Sequence, residues 1–154
     1  MVSVLTSRIR EIRERIAAAA ERARRDPAEV TLMAVTKTHG RDLALRAYEA
    51  GIRVFGENRT AEGAEKFHRV PEDLELHLIG HLQSNKARRA AELFDAIQTV
   101  DSIKLARRLD DAGRPLEVLL EVKLSPEQAK SGAAPEELPA LVAAVRECSN
   151  LRLE

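Results

Sequence analysis

Val30–Lys37, VTLMAVTK, is a short apolar run rich in β-branched residues, with Asp26-Pro27 before it and Thr38-His39-Gly40 after it. A run of that length between turn signals reads as a strand buried on both faces. Its last residue is a lysine. The carboxyl ends of the strands carry the ligand-binding face of a parallel βα sheet. Lys37 therefore stands either where such a fold does its chemistry or, as lysines commonly do, where a strand meets solvent.

Upstream, Leu5, Ile9, Ile12 and Ile16 share one face of an amphipathic helix, with Glu11/Arg15 and Glu21/Arg25 as ion pairs on its wet side. Downstream, a helix from Arg41 to Ala50 closes on Gly51, and Ile52–Phe55 forms a second strand ending in Gly56-Glu57-Asn58. A helix carrying Ala61, Ala64 and Phe67 follows and Pro71 stops it. Glu75–Gly80 is the third strand. His81-Leu82-Gln83 turns into a helix that Ser84 is placed to cap, whose first turns hold Asn85, Lys86, Arg88 and Arg89. Basic residues there oppose the helix dipole, so the run is either a solvated charge cluster or the seat of an anion.

Ala96–Val100 is the fourth strand, with Asp101-Ser102 capping the helix through Leu109. Leu116–Leu124 is the fifth, turned by Ser125-Pro126, and Lys130-Ser131-Gly132 lies in the loop beyond. Pro135 opens a helix with Leu138, Leu141, Val142 and Val145 on one face, and Leu151–Glu154 alternates as the start of a sixth strand. One strand and one helix thus recur every twenty residues or so, which demands parallel strands. A doubly wound nucleotide binder would carry a glycine-rich first turn, and VTKTHG is neither G-x-G-x-x-G nor a P-loop. The reading is an α/β fold of the parallel (β/α)8 TIM-barrel type, incomplete, with five βα units and the beginning of a sixth strand. Its open edges invite self-association.

Composition narrows the function. The 154 residues, the length of one domain, hold 25 basic and 25 acidic side chains, so no net field draws nucleic acid or an anionic membrane. A single cysteine, Cys148, excludes an internal disulfide and a cysteine metal cluster and reads as a small core residue. No apolar run is long enough to span a bilayer, and the arginine-rich amino terminus is not a secretory signal, which implies a cytoplasmic chain.

Taken together, AVTKTHG, VFGENR, HLIGHLQSNK, IQTVDS and the KSG at Lys130 fall in order at the ends of successive strands. In that order they resemble the pyridoxal phosphate homeostasis proteins, the YggS-like family, from the first helix to Glu154. The resemblance implies a barrel of the alanine-racemase type. It implies pyridoxal 5′-phosphate held as a Schiff base on Lys37, Asn58 and His81 beside the cofactor ring, and a role in intracellular vitamin B6 homeostasis without firmly established catalysis. Ser84, Asn85 and Lys86 match a family motif to which no individual contacts attach. A lysine amine that is desolvated or set near positive charge loses its proton readily enough to form such a bond, and an apolar strand would supply the desolvation. Asn58 can donate to the ring oxygen, and His81 can stack on the ring or relay a proton.

This chain departs from the family pattern at Arg59, where an aromatic is usual, and at Gly40, where proline is frequent. It also stops before the turns that hold the phosphate in the family, so it reads as shortened at its carboxyl end. Each charge-assisted hydrogen bond missing there removes roughly 1.5–3 kcal/mol, so weakened binding is expected. Two other readings stand beside this one. A racemase of the same barrel type would need a second acid/base from a further domain. A cofactor-free barrel fragment would act through its strand edges.

Overall fold

The computed structural model describes residues 4–125 and 131–154. Its elements run in the order α1 (Val4–Arg22), β1 (Met33–Val35), α2 (Arg41–Glu49), β2 (Val54–Glu57), α3 (Thr60–Lys66), β3 (Glu75–Leu78), α4 (Ala87–Leu93), β4 (Ala96–Val100), α5 (Ile103–Asp110), β5 (Leu116–Leu120), α6 (Leu138–Glu147) and β6 (Leu151–Leu153). All six strands are parallel and lie in chain order, β1-β2-β3-β4-β5-β6. A doubly wound sheet reverses strand order at a switch point and a barrel never does. The chain is therefore an arc of a TIM-type barrel, as its spacing implies.

Alternation along each strand divides the two faces. Phe55, Leu76, Leu78, Ile97, Val100 and Val118 are buried in one apolar cluster with the helix residues Phe67, Leu105, Leu109, Leu141 and Val145. Phe55 and Phe67 pack with ring centroids 5.4 Å apart. Gly63 lies so close to Phe94 that a Cβ on it would come within 2.8 Å of the ring, which explains a glycine inside α3. The concave face is mixed: Met33, Val35 and Ile79 close over Gly56, Gln98 meets the His77 ring at 2.9 Å, and Arg152 pairs with Glu117.

Several local expectations shift. β1 is shorter than Val30–Lys37 and is not buried on both faces, with Val35 47% exposed. Among the described residues only β2 flanks it. Gly56 and Glu57 belong to β2 instead of the turn after it, because they pair with His77 and Leu78 and Gly56 accepts from the Thr36 N–H. β5 ends at Leu120, after which Val122 makes an isolated bridge to Ala133. Ile12 is exposed because the buried side of α1 centres on Ile9 and Ala20, leaving Ile12 at its edge. Ser84 does not cap α4: it opens a short 3₁₀ turn, Ser84–Lys86, in which its backbone carbonyl accepts from Ala87. Ser102 does cap α5, accepting from the Leu105 N–H at 3.3 Å. Cys148 is half-buried at the end of α6, where desolvation, more than nearby Asp110, raises its thiol pKa. Pro126 and Lys130 lie outside the described residues.

The amino-terminal end of the sheet is laced by polar contacts. Arg13 reaches from α1 to the Gly51 carbonyl at 2.6 Å. Arg53 pairs with Asp73 at 2.7 Å and lies 4.3 Å over the Tyr48 ring, whose hydroxyl donates to Asp73. At the carboxyl-terminal end Gly80 has no room for a side chain: a Cβ there would sit 2.2 Å from the Asn58 carbonyl oxygen. Thr99 donates to the Gly80 carbonyl at 2.9 Å and locks that approach.

Two outcomes follow from these ends. Gly80→Ala must push the Asn58 backbone aside, and a loss of about 1–3 kcal/mol in chemical denaturation is expected from such overpacking. The Tyr48 hydroxyl, before Arg53, holds the Asp73 carboxyl below its ordinary range, and Asp73 in turn raises the phenol. The carboxylate's contribution to stability is complete above its unfolded pKa and fades as pH falls through the lower folded value. The phenol's contribution is complete below its unfolded pKa and fades as pH rises through the higher folded one. Tyr48→Phe should return the Asp73 titration upward toward the usual carboxylate value in a carbon-detected NMR titration.

Candidate functional site

Lys37, Asn58 and His81 leave the carboxyl ends of β1, β2 and β3, three adjacent strands, so the topology sets all three on one rim. Asn58 and His81 line a common cleft of about 340 Å³ together with Arg59, Gln83 and Lys86. Arg59 and Lys86 bring cationic side chains to that cleft, which suits an anionic ligand. Lys37 is not among its lining residues; it is exposed, in the turn that follows β1. The dry strand end expected for it is therefore absent.

His81 is not an isolated ring. Its Nδ1 lies 3.5 Å from an Asp101 oxygen, and ligand atoms of His81, Asp101 and Glu121 all fall within 4.8 Å of one another. These groups come from the ends of β3, β4 and β5, so the rim continues past the cleft as a polar crescent. Ser131 donates to Glu121 at 3.2 Å from the far side of the next loop.

Beneath the Lys37 turn lies a feature that sequence reading missed. Lys66, on α3, is buried, and its ammonium donates to the Thr36 carbonyl at 2.6 Å, to Glu57 Oε1 at 2.6 Å and to Glu62 Oε1 at 3.2 Å. The Thr36 hydroxyl donates to the same Glu57 oxygen at 2.6 Å. Glu57 is fully buried, and its second oxygen has no hydrogen-bond partner. Glu62 in turn accepts from the Thr38 N–H at 2.7 Å. That bond, above the help from Lys66, holds the Glu62 carboxyl below its ordinary range against some desolvation. Thr38 sits at φ +66°, a left-handed conformation that a β-branched residue adopts only when held there. A signal for this cluster does exist in the sequence: Lys66 falls three residues after Gly63 on the buried stripe of α3, with Glu62 four residues before it.

Residues 8–154 match the model of the alanine racemase N-terminal domain. The chain is 44% identical over 151 residues to the pyridoxal phosphate homeostasis protein of Escherichia coli K12, an alignment covering 93% of this chain and 64% of that one. With the protein of the same name from Pseudomonas aeruginosa it shares 45% identity over 157 residues, covering 99% of this chain and 68% of the relative. Among solved structures, PipY of Synechococcus elongatus PCC7942 with PLP bound superposes with a TM-score of 0.74 at 38% identity, over 93% of this chain and 68% of that one. The chain thus spans about two thirds of the length of these relatives. Over that span, motif order, strand order and identity agree, and the chain belongs to the pyridoxal phosphate homeostasis protein family, built on the barrel of the alanine racemase N-terminal domain.

Proposed function

We propose that residues 1–154 act as one partial barrel domain that binds pyridoxal 5′-phosphate and serves in cytoplasmic vitamin B6 homeostasis. The observation that carries this reading is the likeness to PipY with PLP bound, which spans 93% of this chain. The residues fit the group. Lys37 offers an exposed amine at the end of β1, on the rim that also carries the cleft lined by Asn58, His81, Arg59 and Lys86. When bound, the cofactor supplies an aldehyde that condenses with a lysine amine and releases water.

The chain's own groups divide the remaining work. The Asn58 side-chain amide donates to a ring oxygen and orients the ring. His81, steadied by Asp101, covers a ring face or holds a proton. Gly80, having no side chain, leaves the Asn58 backbone room to stay where it is. The balance of 25 basic and 25 acidic residues gives no attraction to nucleic acid, and no helix among the described residues is long and apolar enough to cross a membrane. β1 and β6 are the two edges of the sheet, so the reading extends to self-association through them.

The test is covalent mapping. Incubation with pyridoxal phosphate, borohydride reduction and peptide mass analysis should find the adduct on Lys37, with inorganic phosphate competing and Lys37→Ala abolishing it. Label spread evenly over surface lysines would overturn the reading.

A further inference from the structure

Two peptide planes meet at the Lys37 Cα, and the cluster beneath the turn holds one atom of each. The Thr36 carbonyl, on the preceding plane, accepts from Lys66 Nζ at 2.6 Å and from the His39 N–H at 3.0 Å. The Thr38 N–H, on the following plane, donates to Glu62 at 2.7 Å. Peptide planes are rigid, so holding an atom of each restricts φ and ψ of the residue between them and with these the direction of its Cα–Cβ bond. The side-chain torsions of Lys37 remain free.

The geometry points to Glu62, Lys66 and Glu57 as positioning residues for Lys37. Lys66 and Glu62 clamp the two planes, Glu57 anchors Lys66 from the neighbouring strand, and the clamp sets the direction in which the Lys37 side chain leaves the backbone. This assignment rests on the proposed role of Lys37. It also gives the buried lysine a part that its amine could not play by itself. All three Lys66 donor directions are occupied by acceptors, and the side chain is only 5% exposed, so an aldehyde has no access to it. The fold thus presents one lysine of the pair and sequesters the other.

The arrangement also accounts for the left-handed Thr38. A β-branched residue at positive φ is strained, and it persists only where surrounding contacts outweigh that cost. The Glu62 bond to the Thr38 N–H is such a contact. It is charge-assisted, of the class that outweighs a neutral bond.

Glu62 is the residue to vary, since at 28% side-chain exposure it is the least buried member of the cluster, and Lys66 keeps the Thr36 carbonyl and Glu57 as acceptors without it. Without any cofactor, Glu62→Ala should speed hydrogen exchange of the Thr38 amide about tenfold, from release of one charge-assisted bond. With pyridoxal phosphate and borohydride, the rate of adduct formation on Lys37 should fall about tenfold, while labelling of exposed lysines on the helices stays unchanged. Glu62→Gln keeps an oxygen for the Thr38 N–H and should restore most of both. A merely structural role for Glu62 would alter denaturation without changing the ratio of Lys37 to surface labelling. If the unsubstituted chain shows no selectivity for Lys37, the role of Lys37 falls and this proposal with it. If the unsubstituted chain is selective and Glu62→Ala is equally so, the positioning proposal alone is overturned.

Discussion

A charge buried between a strand layer and a helix is tolerated only where every proton and lone pair it brings is met, and Lys66 is such a charge. Its ammonium stands among a strand-end carbonyl, a carboxylate from β2 and a carboxylate from its own helix. A hydrophobic residue of the same volume would pack there at little cost, since an ion pair of this kind is weak as a source of stability. What the ion pair supplies instead is geometry. An apolar side chain cannot specify where the Thr36 carbonyl points; an ammonium ion with three fixed acceptors does. The price is visible in Glu57, whose second oxygen is buried without a partner.

The two ends of the sheet are built on different principles. At the amino-terminal end, Tyr48, Arg53 and Asp73 form an exposed cluster, with Arg13 on Gly51 and Arg114 beside Asp95 making further bridges. Such solvated pairs contribute little individually and join neighbouring loops. At the carboxyl-terminal end, the close approach of Gly80 to Asn58, the Thr99 bond and the buried Lys66 cluster fix backbone instead of linking side chains. Barrels place chemistry at the carboxyl ends of their strands because loops there can vary without disturbing the sheet. In this chain the loops that carry Lys37, Asn58 and His81 are the ones whose backbone is tied down.

The strands and their order were legible from the chain alone because apolar runs recur with a helix between each pair, and because Ser102 and Gly51 carry local turn chemistry that tertiary contacts leave unaltered. Boundaries moved where tertiary pairing extended or cut a strand: Gly56 and Glu57 read as a turn by composition, yet the ladder to β3 holds them extended. The rim positions of Lys37, Asn58 and His81 were legible from the motif order. The solvent exposure of Lys37 was not, since it depends on how few strands flank β1. Glu57 and Lys66 stayed hidden for a different reason. Their partnership joins a strand to the end of the following helix, and no periodicity in a linear sequence marks a contact of that kind. Only the departure of a lysine from the exposed face of α3 hints at it.

If Lys37 carries the proposed bond to the cofactor, its exposure changes how its reactivity must be understood. A buried amine would owe its neutral form to desolvation, but a solvated one has to gain over its competitors by placement. Every exposed lysine on the surface offers the same functional group. Holding the Cα frame removes part of the entropy that a reacting amine would otherwise lose, and it does so before any ligand arrives. The strained Thr38, the doubly occupied Glu57 oxygen and the fully engaged Lys66 are then parts of one arrangement, in which strain and burial are concentrated one residue away from the group that must stay free. On the proposed role of Lys37, selectivity among chemically identical amines would be a property of the backbone around it.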